Sequence, residues 1–157
     1  MRNIITEITK IDLEDGVEFE IKELSKIMDE MQYPGVRITM NAILDKIETP
    51  IKIDISTDDV ITPGAIEYRY KLMLDEGHIS LMSYNLETVL AEKLQTILAR
   101  GEFNTRMRDF YDIKALLDTF GNHIKNKDFQ NAFRATCQKR GTEALGERGL
   151  QIIEQLV

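Results

Sequence analysis

Residues 86–98 read LETVLAEKLQTIL, and their apolar side chains recur at the 3.6-residue period of an α-helix. Asn85 is in position to cap the start of this helix, and Gly101 follows its end. Upstream of Asn85 the pattern has the two-residue period of half-buried strands, in residues 17–21, 36–44 and 51–55. Because strands come first and helices second, the sequence predicts an α+β fold.

The remaining elements follow the same division. Short strands are predicted at residues 66–73 and 79–82, and a helix ends near residue 8. Further helices are predicted from Asn104 or Thr105 to about 120, at about 125–140 and at 143–156. The change of period near Asn85 places a β-rich lobe in residues 1–84 and a helical lobe in residues 85–157. The second helix is predicted to bury the face that carries Met107, Phe110, Tyr111, Ile113, Leu116 and Leu117.

Composition restricts the class of protein. The chain has 157 residues, a net charge of −7 and one cysteine, Cys137. A chain of this length buries a core without disulfides or structural metals, and one cysteine excludes an intrachain disulfide. These features predict the reducing cytoplasm. No apolar run is long enough to span a bilayer, so no membrane partner is expected.

Charge is unevenly distributed along the chain. Residues 1–80 hold 9 basic and 17 acidic side chains, whereas residues 81–157 hold 11 and 10. The overall acidity argues against a protein whose whole surface binds a nucleic-acid backbone. Between Lys93 and Lys114, however, five basic residues stand against three acidic ones. A local phosphate site fits this stretch.

Lys52 and Asp54 share one face of a predicted strand whose other face carries isoleucines. A carboxylate on an otherwise apolar strand needs a partner or faces a cleft. The simpler explanation is a sheet with one face in water, as antiparallel sheets commonly have. Both interpretations stay open.

Three more candidate residues lie on the predicted helices. Lys93 falls on an apolar stripe, where its amine needs a partner or a pocket unless its stem snorkels to solvent. Asp109 and Asp112 lie on one side of the next helix, with Arg106 close by. Such a set binds a metal ion or orients a ribose and its phosphates, or else forms local ion pairs and complements the helix dipole. The spacing leaves these alternatives open.

Common catalytic templates are absent from the sequence. Neither GxGxxG nor GxxxxGK[ST] occurs, so the Rossmann and P-loop phosphate sites have no counterpart. His78 and His123 lie in loop-like stretches without the partners of a catalytic triad, and both are predicted at the surface. Cys137 is predicted to be a small core residue.

Four segments together resemble one known family. They are YPGVR at residues 33–37, IDI at 53–55, LETVLAEKL at 86–94 and RMRDFYDI at 106–113. In this order and with these gaps, from about Ile4 to Leu117, they are similar to the AbiEii/AbiGii toxin family of nucleotidyltransferases. The resemblance implies a DNA-polymerase-β-like nucleotidyltransferase sheet, truncated at its N-terminus and followed by a helical lobe. It also implies the toxin of a bacterial abortive-infection (type IV toxin–antitoxin) system for phage defence.

The resemblance further implies the chemistry of particular residues. Asp54, Lys52 and Lys93 would be catalytic, with Asp54 as a metal-binding carboxylate for Mg²⁺ or Mn²⁺. Lys93, Arg106, Asp109 and Asp112 would bind a nucleoside triphosphate, with GTP favoured. The acceptor would be an RNA, such as tRNA, or a protein. A cognate antitoxin would act as a genetic partner.

One family motif has no counterpart in the sequence. The family has a Gly-Ser or Gly-Gly-Thr turn followed by an Asp-x-Asp strand, but no glycine precedes Gly16 and no acidic pair precedes Asp12. The expectation is a C-terminal fragment that requires upstream carboxylates to bind metal and does not transfer nucleotides alone. The alternative is a non-catalytic remnant or interaction module that keeps the fold. Either fragment would expose a sheet edge, through which self-association is expected.

Overall fold

The computed structural model describes residues 2–27, 35–56, 59–73, 75–101, 105, 107–147 and 149. The chain divides into two compact units, Met1–Asp59 and Val60–Val157. Within the described residues it is a mixed α/β protein with antiparallel sheets and helices. The predicted mixture of early strands and later helices is confirmed.

The first unit contains helix α1 (Arg2–Ile8) and a three-stranded antiparallel sheet. The strands are β1 (Glu18–Ile27), β2 (Gly35–Leu44) and β3 (Ile47–Ile55), in that order across the sheet. Each contains a stretch whose two-residue period predicted a strand. Ile38 and Met40, on the central strand, are the buried apolar side chains of this sheet. The alternating pattern therefore places one face of β2 in the core.

Strands β2 and β3 form a hairpin whose connection fixes the sheet register. Leu44 is opposite Ile47, so that Asp45 and Lys46 alone form the turn. Asp45 adopts a φ of 53°, in the left-handed region that short hairpin turns require. Because a two-residue connection allows no slip, every cross-strand pair of the hairpin follows from it.

The second unit opens with a two-stranded antiparallel sheet of β4 (Ile66–Lys71) and β5 (His78–Ser83). Helices α2 (Leu86–Arg100), α3 (Met107–Phe120) and α4 (Asn126–Lys139) follow, with a 3₁₀ turn at Gly121–His123. Residues 143–147 are helical, and most of the remainder of the helix predicted at 143–156 lies outside the described residues. The other predicted helices of this unit are confirmed.

Helix α2 begins where its cap was predicted. The Asn85 side chain accepts a hydrogen bond from Thr88 N at 2.7 Å, and its amide donates to the carbonyl oxygens of Thr62 and Gly64 at 2.9 Å each. The Thr88 hydroxyl adds two bonds of 3.1 Å to the backbone of Thr62. Gly101 ends the helix with a φ of 52°. The loop before β4 is thus tied to the start of α2.

The core of the second unit lies between α2 and α4. Ala91, Ala132, Phe133 and Cys137 are buried there, with Leu94, Leu98 and Phe129 packed around them. The small side chains of Ala91 and Ala132 allow the two helices to approach closely. The prediction of Cys137 as a core residue is confirmed.

The predicted buried face of α3 is wrong. Every residue of this helix lies within the described part of the chain, and none is buried. The physical reason is that Asp109 and Asp112 lie on the side of α3 that reaches Lys93 of α2. Because these ion pairs hold that side inward, most of the apolar side is exposed. Ile113 and Leu116 are half-buried, whereas Met107, Phe110, Tyr111 and Leu117 are exposed.

The compact units and the change of period do not divide the chain at the same place. The units meet at residues 59 and 60, so that β4 and β5 belong with the helices. The change from strands to helices lies between Ser83 and Leu86. The assignment of residues 1–84 and 85–157 to separate lobes stays a prediction.

Candidate functional site

Asp54 has a defined partner in the first unit. It lies on β3 directly opposite Arg37 of β2. Arg37 Nε donates to Asp54 Oδ1 and Arg37 Nη2 donates to Asp54 Oδ2, both at 2.7 Å. This is the bidentate geometry in which a guanidinium binds a carboxylate most specifically. Both oxygens of the candidate metal ligand are therefore engaged by an arginine.

The pair changes the protonation equilibrium of both partners. Hydrogen bonding from Arg37 lowers the pKa of the Asp54 carboxyl below its ordinary value, and the positive charges of Arg37 and Lys52 act in the same direction. The hydrogen bond and charge of Asp54 raise the pKa of the Arg37 guanidinium. Asp54 therefore keeps its negative charge to a lower pH than an ordinary aspartate does.

Lys52 lies on the same strand as Asp54 and opposite Thr39. Its side chain is exposed, and so are those of Asp54 and Ile53. Lys52 contributes charge to the neighbourhood of Asp54 rather than a direct contact. Arg37, which sequence reasoning missed as a site residue, supplies that contact. The sequence feature that could have identified Arg37 is the two-residue turn at Asp45 and Lys46, because this turn places Arg37 opposite Asp54.

The described residues do not complete a site for a divalent metal ion on their own. No group of three or more His, Cys, Asp or Glu side chains able to hold a metal occurs among them. Asp54 supplies one carboxylate, and a metal ion would have to compete with Arg37 for its oxygens. Magnesium and manganese take about six oxygen ligands in proteins and water together. The metal site expected from the resemblance stays a prediction.

A second cluster joins α2 to α3. Lys93 Nζ lies 2.7 Å from Asp112 Oδ2 and 3.5 Å from Asp109 Oδ1. The side chains of Lys93, Asp109 and Asp112 are 23%, 13% and 30% exposed. We call these three residues the Lys93 cluster. The cluster joins Lys93 of α2 to Asp109 and Asp112 of α3. In the sequence, the lysine and the two aspartates were considered separately.

Local sequence explains why the cluster forms. Lys93 lies among half-buried apolar residues of α2, such as Val89 and Ile97, so that its amine needs a partner within reach. Asp109 and Asp112, three residues apart, project from the same side of α3. The interpretation of Lys93 as a lysine that needs a partner is therefore the one that fits the geometry. Asp109 and Asp112 are its ion-pair partners.

The Lys93 cluster has unused hydrogen-bonding capacity. Asp109 Oδ2 is buried and has no hydrogen-bond partner within the part of the chain that the structure describes. One lysine faces two aspartates, so that the formal charge of the three side chains together is negative. Such oxygens accept hydrogen bonds from ribose hydroxyls or from the N–H groups of a base. To contact a phosphate, Lys93 would have to exchange one of these carboxylates for it.

Buried polar contacts hold the helix that carries Lys93. Glu87 Oε1, near the start of α2, accepts a hydrogen bond of 3.0 Å from the backbone N–H of Lys125 at the start of α4. Arg140, at the end of α4, donates to Gln95 Oε1 at 2.6 Å and lies 3.8 Å from Glu92. These contacts join α2 to α4 at the start of α2 and again in its middle.

The remaining candidates are separate from this cluster. Arg106 lies outside the described residues. His78 and His123 are exposed, as predicted. No helix of the described chain has the length and apolarity to cross a membrane.

Comparison with known proteins gives one match. A protein-family model described as the nucleotidyl transferase AbiEii toxin, of the type IV toxin–antitoxin system, matches residues 1–156. No curated protein and no solved structure matches the chain.

Proposed function

Because the chain belongs to the AbiEii family of nucleotidyl transferase toxins of type IV toxin–antitoxin systems, we propose that it binds the nucleotide that such a toxin transfers. The donor is a nucleoside triphosphate, with GTP favoured, and the acceptor is an RNA or a protein. We also propose a polymerase-β-like lobe for its sheet and the cytoplasm as its compartment. Membership of the family implies an antitoxin as its genetic partner.

The Lys93 cluster is the observation that carries this proposal. An ammonium and two carboxylates from two helices meet at one place, partly shielded from water. Nucleotides present hydroxyl and N–H donors at one end and phosphate oxygens at the other. Asp109 and Asp112 suit the donors, whereas Lys93 suits the phosphates, where cations neutralise charge during phosphoryl transfer. From its place in the family segment 106–113, Arg106 is proposed as a further nucleotide-binding residue.

We propose Lys52 and Asp54 as catalytic residues. Asp54 contributes one carboxylate to an Mg²⁺ or Mn²⁺ site, and Lys52 provides positive charge beside the phosphates. The described residues place no group of three or more His, Cys, Asp or Glu side chains at Asp54. Transfer therefore depends on carboxylates of the kind found in the family's Asp-x-Asp motif.

A second function is favoured by the ion pair in the first unit. Arg37 engages both oxygens of Asp54, which suits a carboxylate that stabilises a sheet. On this alternative the chain is a non-catalytic module that keeps the fold and binds a nucleotide or another molecule without transfer.

Nucleotide binding is the first test. We expect labelled GTP to bind the chain, and Lys93→Met and Asp112→Asn to weaken binding about tenfold or more, since each removes a charged contact. Lys125→Met is the matched control, because Lys125 forms an exposed ion pair with Asp128. Absence of binding to GTP, ATP, CTP and UTP would contradict the proposal. An equal loss in the control would contradict the assigned residues.

Transfer is the second test. Labelled nucleotide is followed into RNA and into protein, with Mg²⁺ or Mn²⁺, for the 157-residue chain and for a chain extended upstream by a family Gly-Ser and Asp-x-Asp segment. We expect transfer from the extended chain alone and its loss in the extended Asp54→Asn variant. Binding without transfer in both chains would favour the non-catalytic module. Transfer by the 157-residue chain would overturn the need for upstream carboxylates.

A further inference from the structure

Gln95 is a buried polar side chain on α2, with 3% of its surface exposed. Arg140 Nη1 donates to its Oε1 at 2.6 Å, and its Nε2 donates to Thr142 Oγ1 at 3.1 Å. Both ends of the amide are therefore engaged by residues at the end of α4. A buried amide that lost these partners would keep the cost of leaving water without the compensating hydrogen bonds. The placement of Gln95 thus depends on Arg140 and Thr142.

The turn that ends α4 places both of these partners. Gly141 has a φ of 63°, in the left-handed region that glycine adopts most readily. The backbone N–H of Thr142 donates to the carbonyl oxygen of Cys137 at 2.8 Å, and that of Gly141 donates to the carbonyl oxygen of Gln138 at 3.2 Å. These are the two hydrogen bonds with which a glycine commonly closes the end of a helix. Because the backbone fixes this turn, Arg140 and Thr142 reach the same glutamine from either side of Gly141.

Arg140 contacts α2 at residues that flank Lys93 in the sequence. In addition to Gln95, its Nη1 donates to Thr96 Oγ1 at 3.1 Å, and its Nη2 lies 3.8 Å from Glu92 Oε1. Residues 92, 95 and 96 lie on one face of α2, because residues three and four apart on a helix are neighbours. Successive residues turn by about 100° around the helix axis, so Lys93 leaves α2 from a different face, toward α3. A contact that fixes one face of α2 therefore sets the direction of Lys93.

The apolar core between α2 and α4 does not set this direction by itself. The core contains Ala91, Ala132 and Phe133, and hydrophobic contact is non-directional. The planar guanidinium of Arg140, by contrast, donates its hydrogen bonds in fixed directions. Helix α3 has no buried residue of its own, so its aspartates meet the lysine only where α2 presents it. The geometry of the Lys93 cluster therefore depends on Arg140.

We propose that Arg140 is a positioning residue of the nucleotide site, which holds the turn of α2 that presents Lys93. This role rests on the proposed function, in which the Lys93 cluster binds a nucleotide. Arg140 lies at the end of α4, outside the four segments that carry the family resemblance. It acts through α2 rather than by contact with the nucleotide. Binding sites need their side chains held within about 0.5 Å, so loss of the guanidinium displaces Lys93 and weakens binding.

The side-chain ammonium of Lys93 tests the positioning role without any nucleotide. Its ¹⁵N–¹H NMR signal in the full chain is assigned by its loss in Lys93→Met. Arg140→Met moves this signal toward that of Lys125, whose side chain is 78% exposed. Arg134→Met, at an exposed arginine of the same helix, leaves it in place. A signal that coincides in Arg140→Met and wild type overturns the proposal.

A conservative variant separates positioning from folding. Arg140→Lys keeps a charged donor but lacks the planar guanidinium, so it moves the Lys93 signal less than Arg140→Met and in the same direction. Circular dichroism verifies that each variant retains its helix content. If Arg140→Met does not fold, the signal in Arg140→Lys decides, and its coincidence with the wild-type signal overturns the proposal.

A double-mutant cycle tests the consequence for binding. Arg140→Met raises the dissociation constant of labelled GTP about fivefold, but has little effect when Lys93→Met is already present, because Arg140 acts through that lysine. A general loss of structure would weaken binding by the same factor in both backgrounds, and that result overturns the proposal. Absence of GTP binding by wild type contradicts the proposed function instead. The two failures are distinguishable, since the Lys93 signal decides the role of Arg140 without nucleotide.

Discussion

Arg37 and Asp54 face each other across β2 and β3 and share two hydrogen bonds of 2.7 Å. The side chain proposed to bind metal is therefore also the partner of an arginine in the sheet. Any ligand that takes Asp54 must compete with Arg37 for the same two oxygens. The strength of this competition is measurable through the ionisation of Asp54.

We expect Arg37→Met to raise the pKa of Asp54, because hydrogen bonding from Arg37 is the main cause that lowers it. The ordinary value is 3.8, so the pair stabilises the fold above this pH and the contribution is lost as pH falls through the lowered pKa. NMR titration of the carboxyl carbon gives the midpoint. Lys22→Met, in an exposed ion pair with Glu20 of β1, is the control. An unchanged midpoint in Arg37→Met would contradict the assigned cause.

The ion pairs of the Lys93 cluster are expected to stabilise the second unit. Lys93→Met leaves two carboxylates beside each other without their cation, so we expect the free energy of unfolding to fall by about 1–2 kcal/mol. Adding Asp109→Asn and Asp112→Asn removes the repulsion and restores part of the loss. Urea denaturation of the second unit measures both. A triple variant less stable than Lys93→Met would show that the cluster is not held by charge.

The Asn85 side chain stabilises the protein in two ways, by capping α2 and by holding the loop before β4, and two substitutions distinguish them. Asn85→Ala removes the acceptor for Thr88 N and the donors to Thr62 and Gly64, for an expected loss of about 1–3 kcal/mol. Asn85→Asp keeps the acceptor and removes the donors, so an intermediate loss is expected. Thermal or urea unfolding gives both values. Equal losses in the two variants would assign the whole effect to the loop contacts.

Gly35 is predicted to be intolerant of a side chain. A Cβ at this position would lie 2.8 Å from the carbonyl oxygen of Ile55 and 2.9 Å from Ile27 Cγ1. Because the nearer atom is backbone of β3, Gly35→Ala should cost about 1–3 kcal/mol. Gly121→Ala is the matched control, with no atom within 4 Å of its Cβ. A stable Gly35→Ala protein would mean that the sheet adjusts at its end.

The sequence predicted most of the elements because each depends on local pattern. Alternation located β2 and β3, and Asn85 located the start of α2. The error on α3 has a physical cause. Periodicity identifies the residues that share a face, but it does not say which face is inside. Here the charge of Lys93 attracts the polar side of α3, and that long-range partner is invisible in the helix's own pattern.

The candidate site was predictable to a similar degree. The resemblance selected Lys93, Asp109 and Asp112, and the structure brings them together. Arg37 was missed as the partner of Asp54, since pairing across strands depends on register. The turn at Asp45 and Lys46 contains that information, but only once it is recognised as a two-residue connection.

Because Cys137 is buried, the reactivity of its thiol reports how often the core of the second unit opens. Cys137 is the single cysteine of the sequence and lies in the core between α2 and α4, where desolvation raises the pKa of its thiol. A thiol reagent therefore reacts only when that core opens. Its reaction rate reports the open population of the second unit without any introduced label. A ligand that binds the Lys93 cluster would slow this reaction in proportion to its occupancy.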